Sequence, residues 1–273
     1  MKLDAHQHFW HVAQAADYPW MSPDEPVLYR DYQPDALKPI LARHDIEGTI
    51  LVQASPTLAE TEVLLRLAET TPFVKGVVGW CEFDAVAAPS ANCNAPAAIA
   101  TLARSPWLVG LRPMVQDIAD DGWLLREQLQ PAFEATVEHE LVFDALVLPR
   151  HLTPLAELTR RHPALRVVVD HGAKPALRSG MLDQWRHDIA AVARFESTAC
   201  KLSGLVTECG ADRSIERLRP VVDHLLDCFG TERLMWGSDW PVVNLAGGYD
   251  EWMTSAEALL AHLGGTARDA IFG

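Results

Sequence analysis

Basic residues are scarce. Lys and Arg together number 23 against 37 Asp and Glu, leaving a net charge of −14 with histidine neutral. A chain that neutralises phosphates needs a basic face, so this balance argues against a general nucleic-acid binder and against docking on anionic lipid. Cysteine is sparse as well: Cys81, Cys93, Cys200, Cys209 and Cys228, an odd number with no C-x-x-C spacing. That disfavours both a disulfide framework and a thiolate zinc site. Long apolar runs are missing, since none approaches the ~20 residues of a membrane span. Residues 1–3 lead directly into polar positions with no apolar leader segment. The expectation is a soluble, reduced, cytoplasmic protein. With 49% hydrophobic and 22% charged residues the chain has the composition of a folded globule rather than of a disordered one.

What is present is a rhythm. Short apolar runs recur at residues 2–8, 48–53, 74–81, 108–113, 141–146, 165–171, 198–203 and 234–239. Several are almost continuously apolar, as in Thr49-Ile50-Leu51-Val52 and Val167-Val168-Val169, the mark of strands buried on both faces. Helical patterns fall between or after them, at 35–44, 58–70, 95–104, 124–140, 152–161, 181–195, 214–229 and 249–263. In 214–229 the residues Ile215, Leu218, Val222, Leu225 and Phe229 lie three and four apart and form one apolar stripe. The Ala/Pro-rich stretch 85–96 reads as a loop.

Eight strand–helix alternations in 273 residues predict a single domain over residues 1–273, a closed (β/α)8 TIM barrel. An open doubly wound sheet is the alternative. It would carry a glycine-rich phosphate loop after the first strand, where this chain has His6-Gln7-His8-Phe9-Trp10.

The barrel puts chemistry at the C-terminal ends of the strands. His6 and His8 alternate onto the same side of the first strand and could chelate a divalent ion. An H-x-H pair alone is more often two hydrogen-bonded core histidines. His171 emerges after three consecutive valines. Asp239 ends the eighth run, beside Gly237 and Pro241, where an Asp often caps a helix instead. Gln53, Trp80, Glu82, Arg112, Gln116, Asp117, Asp144, Arg150, His151, Lys201 and Ser203 complete a polar ring. Burying such a ring without a purpose would be costly. Trp10, Trp20 and Trp240 flank the expected mouth, and at least one of them should line a pocket.

Six segments carry a resemblance: Asp4-Ala5-His6-Gln7-His8-Phe9-Trp10, Asp17-Tyr18-Pro19-Trp20, Leu148-Pro149-Arg150-His151-Leu152, Asp170-His171-Gly172-Ala173-Lys174-Pro175, Cys200-Lys201-Leu202-Ser203-Gly204-Leu205 and Gly237-Ser238-Asp239-Trp240-Pro241. In this order the chain resembles the amidohydrolase superfamily, in particular its sugar-lactonase branch of L-fuconolactonases and L-rhamnonolactonases, related to the 2-pyrone-4,6-dicarboxylate lactonases. The resemblance implies a distorted (β/α)8 barrel and hydrolysis of a sugar lactone to its hydroxy acid. It implies His6, His8 and Asp239 as ligands of one divalent metal ion, zinc first among the choices. It also implies Asp239 and His171 as catalytic groups. Arg112, Lys201, Trp20, Gln53 and Asp144 are expected to bind substrate. Binuclear members add a bridging Lys or Glu on a middle strand and a His on the fifth. Residues 108–113 hold neither Lys nor Glu, and the fifth strand offers Asp144. One ion, or a metal-free route on an activated ester, is what this pattern supports. A dicarboxylate-lactone hydrolase or metal-dependent decarboxylase would need Arg112, Arg150, Lys174 and Lys201 to converge. A non-catalytic binding protein on the same barrel is the third reading. No nucleic-acid or membrane partner is expected.

Overall fold

The computed structural model describes residues 1–84 and 94–273. Its strands are β1 Leu3–Gln7, β2 Gly48–Val52, β3 Val74–Gly79, β4 Leu108–Leu111, β5 Val142–Ala145, β6 Arg166–Val169, β7 Thr198–Leu202 and β8 Leu234–Trp236. They form one parallel eight-stranded sheet in the order β1 to β8. The helices are α1 Pro34–Arg43, α2 Leu58–Thr70, α3 Ala95–Leu102, α4 Gln130–Glu138, α5 Leu152–Arg161, α6 Asp183–Ala193, α7 Leu205–Glu208, α8 Ile215–Phe229, α9 Tyr249–Leu260 and α10 Gly265–Phe272. The sheet curls into the nearly closed TIM barrel that the alternation predicts. Of the expected loop 85–96, residues 85–93 lie outside the described ones, as does Cys93, and the last two residues already belong to α3. Among the described residues no helix is long and apolar enough to cross a membrane.

Local chemistry explains most of the boundaries. Ser214 caps α8 by accepting the Arg217 amide at 3.3 Å, and Gly230 stops it with a positive φ of 66° that glycine adopts readily. Between those stops Leu218, Val222, Leu225 and Phe229 are buried, each worth roughly 1.5–3 kcal/mol of transfer from water. The helix expected over 124–140 is shorter and begins with α4. Pro131 sits in its first turn, and a proline there cannot continue a helix backward, because it lacks an N–H and its ring collides with the carbonyl four residues earlier. Two short 3-10 turns, Trp123–Leu125 and Glu127–Leu129, take that stretch instead. Likewise the helix expected over 249–263 ends at Leu260 and a separate α10 follows.

The barrel closes at its C-terminal rim. The His8 amide donates to the Trp240 carbonyl and the Asp239 amide donates to the His6 carbonyl, both at 2.8 Å. Asp4, buried on the same side of β1, accepts the Ser238 amide at 2.8 Å. This approach needs a glycine at 237: a Cβ there would sit 2.8 Å from the His6 Cβ and 3.1 Å from the His6 nitrogen. Gly237→Ala should therefore lower the thermal midpoint by several degrees, from the ~1–3 kcal/mol typical of overpacking. Gly264→Ala is the control, since nothing lies near its added carbon. Equal midpoints for the two variants would show that the closure tolerates the methyl.

Candidate active site

Closure brings four side chains from distant parts of the chain to one point. His6 Nε2 lies 3.1 Å from His8 Nε2, and Asp239 Oδ1 is 3.7 Å from the first and 3.4 Å from the second. His171 Nε2 is 3.9 Å from the same carboxylate oxygen. All four residues are nearly or fully buried.

Each ring is aimed by its far nitrogen. His8 donates Nδ1–H to the Val52 carbonyl at 2.8 Å, which fixes the ring with Nε2 toward Asp239. His171 Nδ1 pairs with the Ser203 hydroxyl at 2.8 Å. Its ring occupies space that only a glycine at 204 leaves free, since a Cβ there would fall 2.5 Å from His171 Nδ1. His6 Nδ1 faces Lys201 Nζ at 3.2 Å and Asp170 Oδ1 at 3.3 Å.

His171 also opens an unusual segment. His171, Gly172, Ala173 and Lys174 all take left-handed backbone angles, with φ of 53°, 57°, 61° and 50°. Such residues normally occur singly, at roughly 1–2 kcal/mol each when not glycine. Packing around the run offsets this: Ala173 is fully buried, the Lys174 amide donates to the His171 carbonyl at 2.9 Å, and the Trp185 indole donates to the Gly172 carbonyl at 2.7 Å. Asp239 is itself left-handed, at φ 57°, a conformation that Asp tolerates better than most residues.

Beneath the histidines lies a layer of buried ions. Lys201 Nζ is 2.5 Å from Asp144 Oδ2 and 2.9 Å from Asp170 Oδ1. Arg112 Nη1 is 3.1 Å from Asp170 Oδ2. Burial would discharge Lys201, but Asp144 and Asp170 reverse that and raise its pKa. Burial and the neighbouring Asp170 push Asp144 up to about 7. Asp170 is held well below the carboxylate range, Lys201 and His6 outweighing the burial. The cations of this layer are thus engaged by Asp144 and Asp170, and Asp239 faces only imidazoles. Burial would raise Asp239, yet His171, His8 and His6 outweigh it and hold the group ionised. Burial lowers His171 to about 4 against the pull of Asp239 and Asp170, and lowers His6 well below its ordinary value.

A cavity of about 200 Å³ opens over this cluster. His8, Asp239, His171, Arg112, Lys174 and Gln116 give it polar walls, and Trp10, Trp20, Met114 and Leu146 give it apolar ones. Sites for drug-sized ligands run to ~300–1,000 Å³, so this one suits a single small ring. Trp20, 38% exposed and anchored by its indole N–H on the Ala54 carbonyl at 2.8 Å, forms the outer lip. Trp10 is buried behind it, and Trp240 packs against Phe9 and Tyr32 in the core. A larger cavity of about 590 Å³ shares Trp20 and Met114. It holds none of the four clustered residues, and its Arg126 is paired with Asp84 and Asp120.

Of the residues expected to bind substrate, Arg112 and Trp20 line the cavity. Gln53, Asp144 and Lys201 do not. Gln53 is fully buried; its amide donates to the Arg112 carbonyl at 2.8 Å and its own carbonyl accepts from Arg112 Nη2, so it braces Arg112. Asp144 and Lys201 lie in the ionic layer under His6. Alternation along a strand tells which side a residue faces but not how deep in the barrel it lies, and depth decides these three. Asp170 was not singled out. The signal was available: an Asp that directly ends an all-valine strand must be paired.

The donor set suits a metal ion. Among the described residues, His6 with His8 and Asp239, and His6 with Asp170 and His171, could each hold an ion. Ligands at ~2.0–2.1 Å in a tetrahedron lie about 3.4 Å apart, which 3.1, 3.4 and 3.7 Å match. Asp170 is already engaged by Arg112 and Lys201, so the first group fits better.

The sequence matches the amidohydrolase family over residues 3–273. An L-fucono-1,5-lactonase of Burkholderia ambifaria is 44% identical over 276 residues, covering 100% of this chain and 92% of that protein. The chain belongs to the amidohydrolase family. An L-fucono-1,5-lactonase of Burkholderia multivorans is 36% identical, with 100% and 93% covered. A crystal structure of an amidohydrolase from Burkholderia multivorans with bound zinc superposes with a TM-score of 0.91 at 35% identity, covering 100% of this chain and 96% of that one.

The electrostatics can be read directly. In an NMR titration, His171 should take up its proton near pH 4 instead of near 6.5, so it stays neutral as the pH falls from 7 to 5. His171→Ala identifies its signal. A His171 resonance moving near pH 6.5 would contradict this environment.

Proposed function

We propose that the chain opens a sugar lactone of the L-fucono-1,5-lactone kind to its hydroxy acid, with Asp239 as general base and then general acid. The observation that carries this reading is a buried, ionised carboxylate facing three imidazoles and no cation of the ionic layer, on the wall of a cavity sized for one sugar ring. The whole chain is taken as one barrel domain, residues 1–273. Buried thiols such as Cys200 and Cys209 suit the reducing cytoplasm.

Asp239 takes a proton from water as the water oxygen bonds to the lactone carbonyl carbon. The carbonyl oxygen gains negative charge within reach of the polar wall formed by Arg112 and His171. The ring C–O bond then breaks, and the proton on Asp239 passes to the departing ring oxygen. The new carboxylic acid loses its proton to solvent, so lactone and water leave as hydroxy carboxylate and H⁺. His6, His8 and Asp239 would hold a divalent ion, zinc by the donor set, which when bound supplies Lewis acidity toward the carbonyl or an acidified water. The Lys201 ammonium occupies the space between Asp144, Asp170 and His6, where a second ion would compete with it. Trp20 offers an indole face for the C–H side of the sugar.

Of the four cations that a dicarboxylate substrate would require, Arg112 and Lys174 line the cavity, but the set does not gather there. Lys201 lies beneath the cavity, Arg112 is engaged by Asp170, and Arg150 turns outward to Asp121 at 2.7 Å.

Two measurements test the reading. Asp239→Asn should reduce turnover of L-fucono-1,5-lactone, followed as acid release, by about 10²–10⁴-fold with the fold intact; unchanged turnover removes Asp239 from the mechanism. In equilibrium dialysis the chain should retain a single zinc ion that His8→Ala loses, and equal retention by both would place the ion elsewhere.

A further inference from the structure

We propose that Lys174 is the cation that receives the negative charge the reaction creates, binding the carboxylate of the opened hydroxy acid while leaving the neutral lactone nearly unaffected. The proposal rests on the lactonase reading and deepens it.

Three basic residues nominated by the sequence are already in use: Lys201 by Asp144 and Asp170, Arg112 by Asp170, and Arg150 by Asp121. Lys174 is different. It lines the same cavity as Asp239 and His171, yet among the described residues its ammonium makes no hydrogen bond or ion pair. The acid whose charge it meets on that rim is Glu208, half-buried, which responds to Lys174 electrostatically without forming an ion pair. Lys174 also acts on the His171 imidazole by charge, so it stands close to the reacting groups.

The backbone explains why it points there. In a left-handed turn of about three residues, positions three apart stack on one side. The Lys174 amide donating to the His171 carbonyl closes such a turn, so both side chains face the cavity. A strained run that delivers an uncompensated cation beside the base is the arrangement expected where charge appears during a reaction.

The asymmetry between substrate and product makes the idea testable. Calorimetry on the wild-type chain should show the hydroxy carboxylate product binding at least ~10-fold more tightly than the alditol of the same configuration, which lacks the charge. Lys174→Met should abolish that preference and raise the product inhibition constant about 10-fold or more, with KM for the lactone within about 3-fold. Lys174→Arg should restore most of the preference. If the methionine variant fails to fold, Lys174→Gln serves the same comparison. Product and alditol binding equally in the wild type, or an inhibition constant that moves no more than KM, overturns the proposal. Failure of the parent reading looks different: the wild-type chain would open no aldonolactone at all.

Discussion

The site depends on two backbone hydrogen bonds that join the ends of the barrel, His8 to Trp240 and Asp239 to His6. Each bond is worth only ~0.5–1.5 kcal/mol net, but together they fix the register between the first strand and the segment after the last. That register sets the spacing of His6, His8 and Asp239. A slip of one residue on either side would turn these side chains out of the barrel. The fold and the chemistry therefore share a seam, and Gly237 is the residue whose missing side chain permits it.

Around the seam the molecule separates two kinds of charge. Arg112, Lys201, Asp144 and Asp170 form a layer whose groups are nearly solvent-free and pair with one another. Breaking such a network by removing one partner typically costs 3–5 kcal/mol, because it leaves a buried charge alone. Above it, Asp239 faces imidazoles and pairs with no cation of that layer. Its charge is left for water, substrate or metal to meet.

Much of this was legible in the sequence. Strand–helix alternation indicated the barrel, and the polar residues ending the apolar runs indicated its working rim. His6, His8, His171 and Asp239 were named from position alone, and they lie within a few ångströms of one another. Depth was not legible. Gln53, Asp144 and Lys201 end their runs in the same way as Arg112 but lie below the cavity, because pairing between buried ions is set by partners from strands far apart in sequence. The availability of Lys174 was hidden for the same reason: it follows from what the other cations are doing. The extra turns before α4 and the break after α9 reflect Pro131 and local packing, which periodicity alone underweights.

The left-handed run from His171 to Lys174 has a bearing on redesign. A segment wound against the natural hand of L-residues tolerates few replacements, and β-branched ones least of all. Libraries that seek new sugar preferences should hold these four positions constant. Diversity is better spent on Trp20, Met114 and Leu146, which shape the cavity from ordinary backbone and can change size without unwinding the turn that aims the chemistry.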